Sequence, residues 1–334
     1  MSDSKPHDPN QMTGAAMIVR ALKDHGVKHI FGYPGGAVLP IYDEIFQQSD
    51  VEHILVRHEQ GAGFIAQGMA RVSGRPEVCL ASSGPGATNL ITAIADAKLD
   101  SIPIIALTGQ VPLSMIGTDA FQEAPVFNIM SACAKHVFLV KNPDELEATV
   151  RTAFHIARSG RPGPVVVDIP KDVQVATAPY KKPGTISHAS YKPQLKGDIK
   201  LIETAVEMLA AAERPILYTG GGIINSGPAA SQILRELARI TGAPVTSTLM
   251  GLGAYPASGD AWLGMLGMHG TYEANWAMNQ ADLIVCLGAR FDDRVTGRLD
   301  AFAPKAKKIH VDIDRSSMNK TVRVDLGIVG DVGH

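Results

Sequence analysis

The sequence predicts an α/β fold built as two doubly wound, parallel-sheet domains, and three observations carry that prediction. Short apolar runs alternate with segments whose apolar residues recur at helical spacing. Glycines and prolines gather where one passes into the other, and the alternation breaks once, between about residues 175 and 197. Alternation of this kind closes a parallel sheet with helices on both faces. A chain of 334 residues is also long enough for about two domains.

The first series opens with helical spacing from Met12 to Leu22. Gly26 stops that helix, and Val27 to Phe31 reads as a strand. A strand over Val51 to Val56 precedes a helix from Glu59 to Val72. A strand over Val78 to Ala81 leads through Gly84-Pro85-Gly86 into a helix from Ala87 to Ala97. Ile102 to Leu107 is a further apolar run, ended by Thr108-Gly109. Asn142 suits a helix N-cap and Pro143 the first helical position, while Asp144 and Glu145 face the positive end of the helix dipole. Leu146, Val150, Ala153, Phe154 and Ala157 form the buried stripe of that helix, and Gly160 is its stop. Pro164 to Pro170 is a strand covered on both faces.

The stretch from Val175 to Gly197 is rich in Pro, Lys, Ser and Tyr without period, which reads as a linker. We place the domains at 1–180 and 199–334, with 181–198 between them. The second series predicts a helix Ile199 to Ala212, a strand Pro215 to Tyr218, the turn Gly220-Gly221-Gly222 and a helix Ala229 to Ile240. A strand Pro244 to Thr248, a helix around Tyr272 to Met278, and strands Leu283 to Leu287 and Lys308 to Ile313 complete it.

Composition narrows the function classes. With 31 Lys+Arg against 33 Asp+Glu, the net charge is -2. A nucleic-acid groove or an anionic membrane surface calls for a basic excess, so neither partner is expected. Cys79, Cys133 and Cys286 are far apart in apolar runs, which argues against a disulfide framework or a CxxC metal knuckle. His25, His29, His53, His136, His155 and His310 are scattered without ligand spacing, and no metal site is expected among them. Residues 1–11 carry no leader pattern, and no apolar run approaches the ~18 residues of a membrane span. We expect a cytoplasmic protein. Lys305, Lys307 and Lys308 read most simply as a solvated helix end or loop, and the methionines from Met265 to Met278 as flexible packing.

Four places could carry chemistry, each with a plainer alternative. Gly84 to Asn89 lies where a strand passes into a helix; it either receives an anion or is a tight turn that lets strand and helix pack. Gly220-Gly221-Gly222 has the same two readings, and Asp312 at a strand end could accept from a ribose or adenine edge. Glu59 opens a helix among Gly61, Ala62 and Gly63. It is either a dipole partner or a carboxylate that a flat ligand can approach, basic enough when desolvated to move protons near neutral pH. The charged run Gly288 to Gly297 follows an apolar strand directly, as a ligand site or as a solvated salt-bridge turn.

Read together, the motifs resemble a known family. Tyr33-Pro34-Gly35-Gly36-Ala37, Arg57-His58-Glu59-Gln60-Gly61-Ala62, Ser83-Gly84-Pro85-Gly86, Thr108-Gly109-Gln110-Val111-Pro112, Phe121-Gln122-Glu123, Asp168-Ile169-Pro170-Lys171-Asp172-Val173 and Arg290-Phe291-Asp292-Asp293-Arg294 stand in family order. The chain is similar, from about Thr13 to its last residues, to the catalytic subunits of acetohydroxyacid synthases (acetolactate synthases). The resemblance implies an enzyme that uses thiamine diphosphate, Mg2+ and FAD. Such an enzyme decarboxylates pyruvate and joins the two-carbon unit to pyruvate or 2-ketobutyrate, in branched-chain amino-acid biosynthesis. The N-terminal domain would then bind the cofactor's pyrimidine and the central domain FAD.

Roles follow by match. Glu59 corresponds to the glutamate that hydrogen-bonds N1′ of the aminopyrimidine. Arg294 corresponds to the arginine that receives the second acid's carboxylate, for which a planar fork suits better than a lysine. Gln122, Phe121, Lys171 and Gly36 match residues lining the reaction space, some of them reaching it from a neighbouring subunit. FAD contacts match Ser101, Arg161, Gly221, Thr248, Leu249, Leu266, Gly267, Met268, His269, Gly288, Ala289, Arg290, Phe291, Asp292, Asp312, Ile313, Asp331 and Val332, and the flavin is expected to be structural. The family further implies a homodimer or homotetramer and a separate regulatory small subunit.

One departure is large. The family holds Mg2+ and the diphosphate with a Gly-Asp-Gly motif in a third domain, and that motif does not occur in this chain. We expect a fragment or a deliberately trimmed chain that by itself makes no acetolactate. Other enzymes of similar build remain as rivals: pyruvate oxidase, oxalyl-CoA decarboxylase, or glyoxylate carboligase, which lacks the activating glutamate that Glu59 supplies. A non-catalytic FAD-binding module is the remaining alternative.

Overall fold

The computed structural model of the chain describes residues 11–181, 186, 188 and 190–334. The leader reading of residues 1–11 lies almost wholly outside them, as does part of the 181–198 linker. The chain divides into two compact units, Met1–Tyr191 and Lys192–His334.

In the first unit the order is β1 (Gln11–Thr13), α1 (Gly14–Asp24), β2 (His29–Gly32), α2 (Leu39–Phe46), β3 (Glu52–Leu55), α3 (Glu59–Ser73), β4 (Glu77–Ala81), α4 (Pro85–Thr88), α5 (Ile91–Asp100) and β5 (Ile104–Gln110). Then come α6 (Val126–Cys133), β6 (His136–Leu139), α7 (Leu146–Arg158), β7 (Val165–Pro170), α8 (Lys171–Val175) and β8 (Thr177–Pro179). Six strands form one sheet in the order β3-β2-β4-β5-β7-β6, and every pairing is parallel. The expected stripe of α7 is buried and packs with Met17, Ile18, Ala21 and Leu22 of α1 in one hydrophobic core. Asn142 does cap, its Oδ1 accepting from the amide of Asp144 at 3.0 Å, though the turn it opens is a 3-10 turn that runs on into α7.

The departures have local causes. The helix expected from Met12 starts two residues later, because Gln11–Thr13 pair antiparallel with Thr177–Pro179. Thr13 Oγ1 caps α1, accepting from Ala16 N at 3.1 Å. A Cβ on Gly14 would lie 2.2 Å from the Val173 carbonyl oxygen, so only glycine fits there. The single helix expected over Ala87 to Ala97 is two, α4 and α5. The supposed linker is structured at both margins: Thr177–Pro179 is a strand, and the Tyr191 hydroxyl donates to Ser159 O at 2.5 Å and accepts from Lys135 Nζ at 2.9 Å. Helices α2 and α6 and strand β6 escaped prediction because each is short and buries few residues, too few to set a period.

The second unit runs α9 (Ile199–Ala211), β9 (Pro215–Thr219), α10 (Gly221–Asn225), α11 (Pro228–Thr241), β10 (Val245–Ser247), β11 (Trp262–Met265), α12 (Tyr272–Gln280), β12 (Leu283–Leu287), α13 (Asp293–Thr296), β13 (Lys307–Asp312) and β14 (Leu326–Val329). Its six strands are all parallel, in the order β11-β10-β9-β12-β13-β14. Counted along the chain this is 3-2-1-4-5-6, the order of dinucleotide-binding sheets. Alternate residues feed separate cores on the two faces: Leu217 and Val285 pack with α11, while Tyr218 and Cys286 pack with α12. The unpredicted strands β11 and β14 are edge strands of four residues, each with a glycine inside. Lys308 also departs from expectation. Its ammonium donates to the carbonyls of Ala303 and Ala306 at 3.0 and 2.9 Å, and burial pushes its pKa down.

Candidate active site

In parallel sheets of this kind ligands bind beyond the carboxyl ends of the strands, where the order reverses. In the first unit that point lies between β2 and β4. The loop after β2 and the loop after β4 meet there: a Cβ on Gly35 would sit 2.4 Å from Ser82 Cβ. Gly36 follows with open space around it. Ser82 Oγ is buried there without a partner among the described residues.

Glu59 stands at the first position of α3, whose N-cap is His58, with Nδ1 accepting from Gln60 N at 3.1 Å. Its Oε2 accepts from Asn89 Nδ2 at 2.9 Å, which fixes the carboxylate across 30 residues of sequence. Asn89 is thus the unrecognised partner, and it takes the place of the third glycine in the Gly84 turn. The other oxygen, Oε1, faces Gly86, where a Cβ would come within 3.4 Å. Glu59 is half-buried, so the expected desolvation is only partial. Nearby, Tyr42 is held far above its ordinary pKa, first by burial and then by the charge of Glu59.

Gly84 carries a φ of +54°, and a Cβ there would lie 2.5 Å from Gln122 O. The tight-turn reading of Gly84 has a physical basis here: the backbone must be glycine, and the turn is the floor for the segment bearing Gln122 and Phe121. Gln122 itself has φ +57°. Glu123 clamps this segment, its carboxylate accepting from the amides of Gly117 and of Ala120, the latter at 3.0 Å. Those amides, Gly117 first, hold the Glu123 pKa down. Phe121 stands 87% exposed. Beneath, the buried Asp168 accepts from Thr108 Oγ1 at 2.7 Å and Gln110 Nε2 at 3.1 Å, and the same amide donates to Ala124 O at 3.0 Å. Burial pushes Asp168 up to about 7 against these two donors. Lys171 begins α8 directly after β7, at the same edge, half-buried. Ser101 and Arg161 are not brought to this edge. They precede β5 and β7, at the amino ends of the strands, and Arg161 Nε donates to Ser101 Oγ at 2.8 Å.

In the second unit every predicted contact follows a strand end. Gly221 follows β9, Thr248 and Leu249 follow β10, and Leu266, Gly267, Met268 and His269 follow β11. Gly288, Ala289, Arg290, Phe291 and Asp292 follow β12, Asp312 and Ile313 close β13, and Asp331 and Val332 follow β14. The reversal lies between β9 and β12, where the two loops lock backbone to backbone. Gly220 N donates to Leu287 O at 2.9 Å and Gly222 N to Gly288 O at 3.0 Å. A Cβ on Gly222 would sit 2.5 Å from Gly288 Cα. Gly267, at φ +92°, is gripped by the Asn275 side chain, which accepts from its amide at 2.8 Å and donates to its carbonyl at 2.9 Å. No spacing in the sequence pointed to Asn275.

The charged run is partly the salt-bridge turn and partly not. Arg290 pairs with Asp292 at 2.6 Å. Arg294 is exposed, with its Nε 3.7 Å from Asp293 and its Nη1 4.0 Å from Met268 Sδ, contacts too loose to hold a guanidinium. Among the described residues no cluster of three or more His, Cys, Asp or Glu could hold a metal ion, and no helix is long and apolar enough to cross a membrane.

Two such sheets, with an acid fixed at the first switch point and a glycine-packed loop pair at the second, define a class of cofactor-binding proteins. The chain belongs to the thiamine pyrophosphate enzymes: residues 12–132 match their N-terminal TPP binding domain and residues 202–334 their central domain. Among curated proteins it is 53% identical over 322 residues to an acetolactate synthase large subunit of Mycobacterium tuberculosis, covering 96% of this chain and 52% of that protein. The acetolactate synthase isozyme 1 large subunit of Escherichia coli is 52% identical over 322 residues, 96% of this chain and 56% of that protein. The large subunit of Corynebacterium glutamicum is 51% identical over 323 residues, 97% of this chain and 51% of its own length. The chain thus spans about half the length of the curated relatives it matches.

Proposed function

We propose that this chain forms the pyrimidine-binding and FAD-binding portions, 1–180 and 199–334 joined by 181–198, of an acetolactate synthase catalytic subunit. The observation that carries the reading is the Glu59 carboxylate. One oxygen is fixed by Asn89 and the other faces a glycine, so a flat ring can lie against it. That donor set fits an aminopyrimidine, whose N1′ needs an acceptor held in one place. Thiamine diphosphate, when bound, supplies a nucleophilic carbon and an electron sink for decarboxylating a 2-ketoacid. Glu59 holds the proton at N1′. Gln122, Phe121 and Gly36 border the same strand ends, and Lys171 adds a cation there. Arg294, loosely paired, serves the carboxylate of the second ketoacid, pyruvate or 2-ketobutyrate.

FAD at the second sheet is supported by the strand order and by the gathering of all its predicted contacts there except Ser101 and Arg161 at strand carboxyl ends. We further infer Mg2+ as the counter-ion of the diphosphate, a homodimer or homotetramer, a regulatory small subunit beside this large one, and a cytoplasmic location. The relatives' names support the activity and the large-subunit role.

The test is a chimera in which this chain is continued by the remaining C-terminal residues of the Escherichia coli relative. Given pyruvate, thiamine diphosphate, Mg2+ and FAD, it should form acetolactate, and with added 2-ketobutyrate also acetohydroxybutyrate. Glu59→Gln should lower the rate at least about 100-fold. Acetate and peroxide as products would instead indicate an oxidase, and flavin absorbance without turnover a non-catalytic module.

A further inference from the structure

One buried imidazole touches three of the residues assigned to the flavin. His310 lies on β13 and is fully buried, opposite Cys286 in register. Its Nε2 is 2.7 Å from Ala289 O and 3.7 Å from Asp312 Oδ2. Its ring stands edge-on to Phe291, centroids 5.1 Å apart at 81°. A carbonyl oxygen can only accept, so Nε2 carries the proton and Nδ1 is left as a bare lone pair. That Nδ1 is buried with no partner among the described residues. A hydrocarbon side chain would fill the position without this cost. The N–H toward Ala289 is therefore what the imidazole contributes.

What the N–H fixes is the direction of a peptide. Three successive carbonyls of the segment are turned into the protein: Leu287 O accepts from Gly220 N, Gly288 O from Gly222 N, and Ala289 O from His310 Nε2. The Cys286 thiol adds a weak donor to Ala289 O at 3.3 Å. The amides of Ala289, Arg290 and Phe291 make no hydrogen bond to another backbone group of the described residues. Gly288 and Phe291 both hold positive φ, +65° and +54°, so the segment between them is bounded by two left-handed turns of the backbone. Without the imidazole N–H, the buried Ala289 carbonyl keeps only the thiol and is driven to turn outward for a partner. The amide edge would turn with it.

We propose that His310 is a positioning residue for the flavin: its Nε2–H sets the Ala289 peptide, so that segment 288–292 presents its amides to the cofactor. This rests on the assignment of FAD to the second unit. The test titrates the purified chain with FAD, following flavin fluorescence and the visible absorption band, for three proteins. The unaltered chain should bind. His310→Phe keeps a ring against Phe291 but loses the donor, and should weaken FAD about tenfold or more, with the band moved toward that of free flavin. His310→Gln returns an amide donor at similar reach and should come back to within about threefold of the unaltered chain. Equal binding by all three proteins overturns the proposal, and so does equal weakening in both variants, which would make the role one of packing alone. If the unaltered chain does not bind FAD, the flavin assignment itself falls and takes the proposal with it.

Discussion

Both units place a six-stranded parallel sheet under their working edge, yet they secure that edge by a different balance of side chain and backbone. In the first unit side chains do it: Asn89 on Glu59, Glu123 on the amides of Gly117 and Ala120, and Asp168 on Thr108 and Gln110. In the second the backbone does most of it, with the side chains of Asn275 and His310 added at Gly267 and Ala289. Gly220 N donates to Leu287 O, Gly222 N to Gly288 O, and Met268 N to Arg294 O at 2.7 Å. An edge held by side chains has charges that can be tuned and protons that can move, which suits chemistry. An edge held by glycine backbone offers fixed amides and close approach, which suits holding a large cofactor still.

The sharpest way to break this contrast is Glu59→Gln in the chimera. Turnover should fall at least about 100-fold, while FAD affinity should stay as it was. A parallel loss of flavin would show that the two edges are not functionally separate.

The next effect is a pH dependence confined to the side-chain edge. Asp168 has its pKa raised from 3.8 to about 7 by burial, so between those values the folded state holds a proton that the unfolded state has lost. Stability from this group is therefore present below about pH 4, declines as pH rises toward 7 by up to about 1.4 kcal/mol per pH unit, and is constant above. Asp168→Asn removes that slope. Denaturant melts of both proteins from pH 4.5 to 8 should show the unaltered chain losing its advantage as pH rises to 7; a constant difference would refute the assignment.

At the backbone edge, Gly222→Ala drives a Cβ to 2.5 Å from Gly288 Cα and should cost about 1–3 kcal/mol, read as a lower melting midpoint, and weaken FAD binding. The smallest effect is its counterpart in the first unit. A Cβ added to Gly61, inside α3, would meet nothing within 4 Å, so Gly61→Ala should raise stability by about 0.5–1 kcal/mol through helix propensity. A destabilised Gly61→Ala would mean that the start of α3 is not open around Gly61.

What the sequence disclosed follows from range. Long strands and periodic helices, the Asn142 cap and the placement of Glu59 at a helix start all depend on neighbours a few residues away, and local physics determines them. Asn89 reaches Glu59 only because α3 and α5 pack with Gly63 against Ala93, and His310 reaches Ala289 only because β12 and β13 are neighbours. No spacing announces such pairs. The family motifs named Glu59 and the 288–292 segment, but not the residues that hold them, since Asn89 and His310 act through partners set by the fold.

The β1–β8 pair gives the first unit a history as well as a shape. Thr13 bonds in register with Thr177, so the strand made first waits for nearly the last one made. At ordinary rates of synthesis that wait is roughly 8 to 30 seconds. Through it α1 has its own cap at Thr13, but the strand before it has no partner. The clasp can close only once Thr177–Pro179 are made, so synthesis sets the earliest time at which the unit becomes whole.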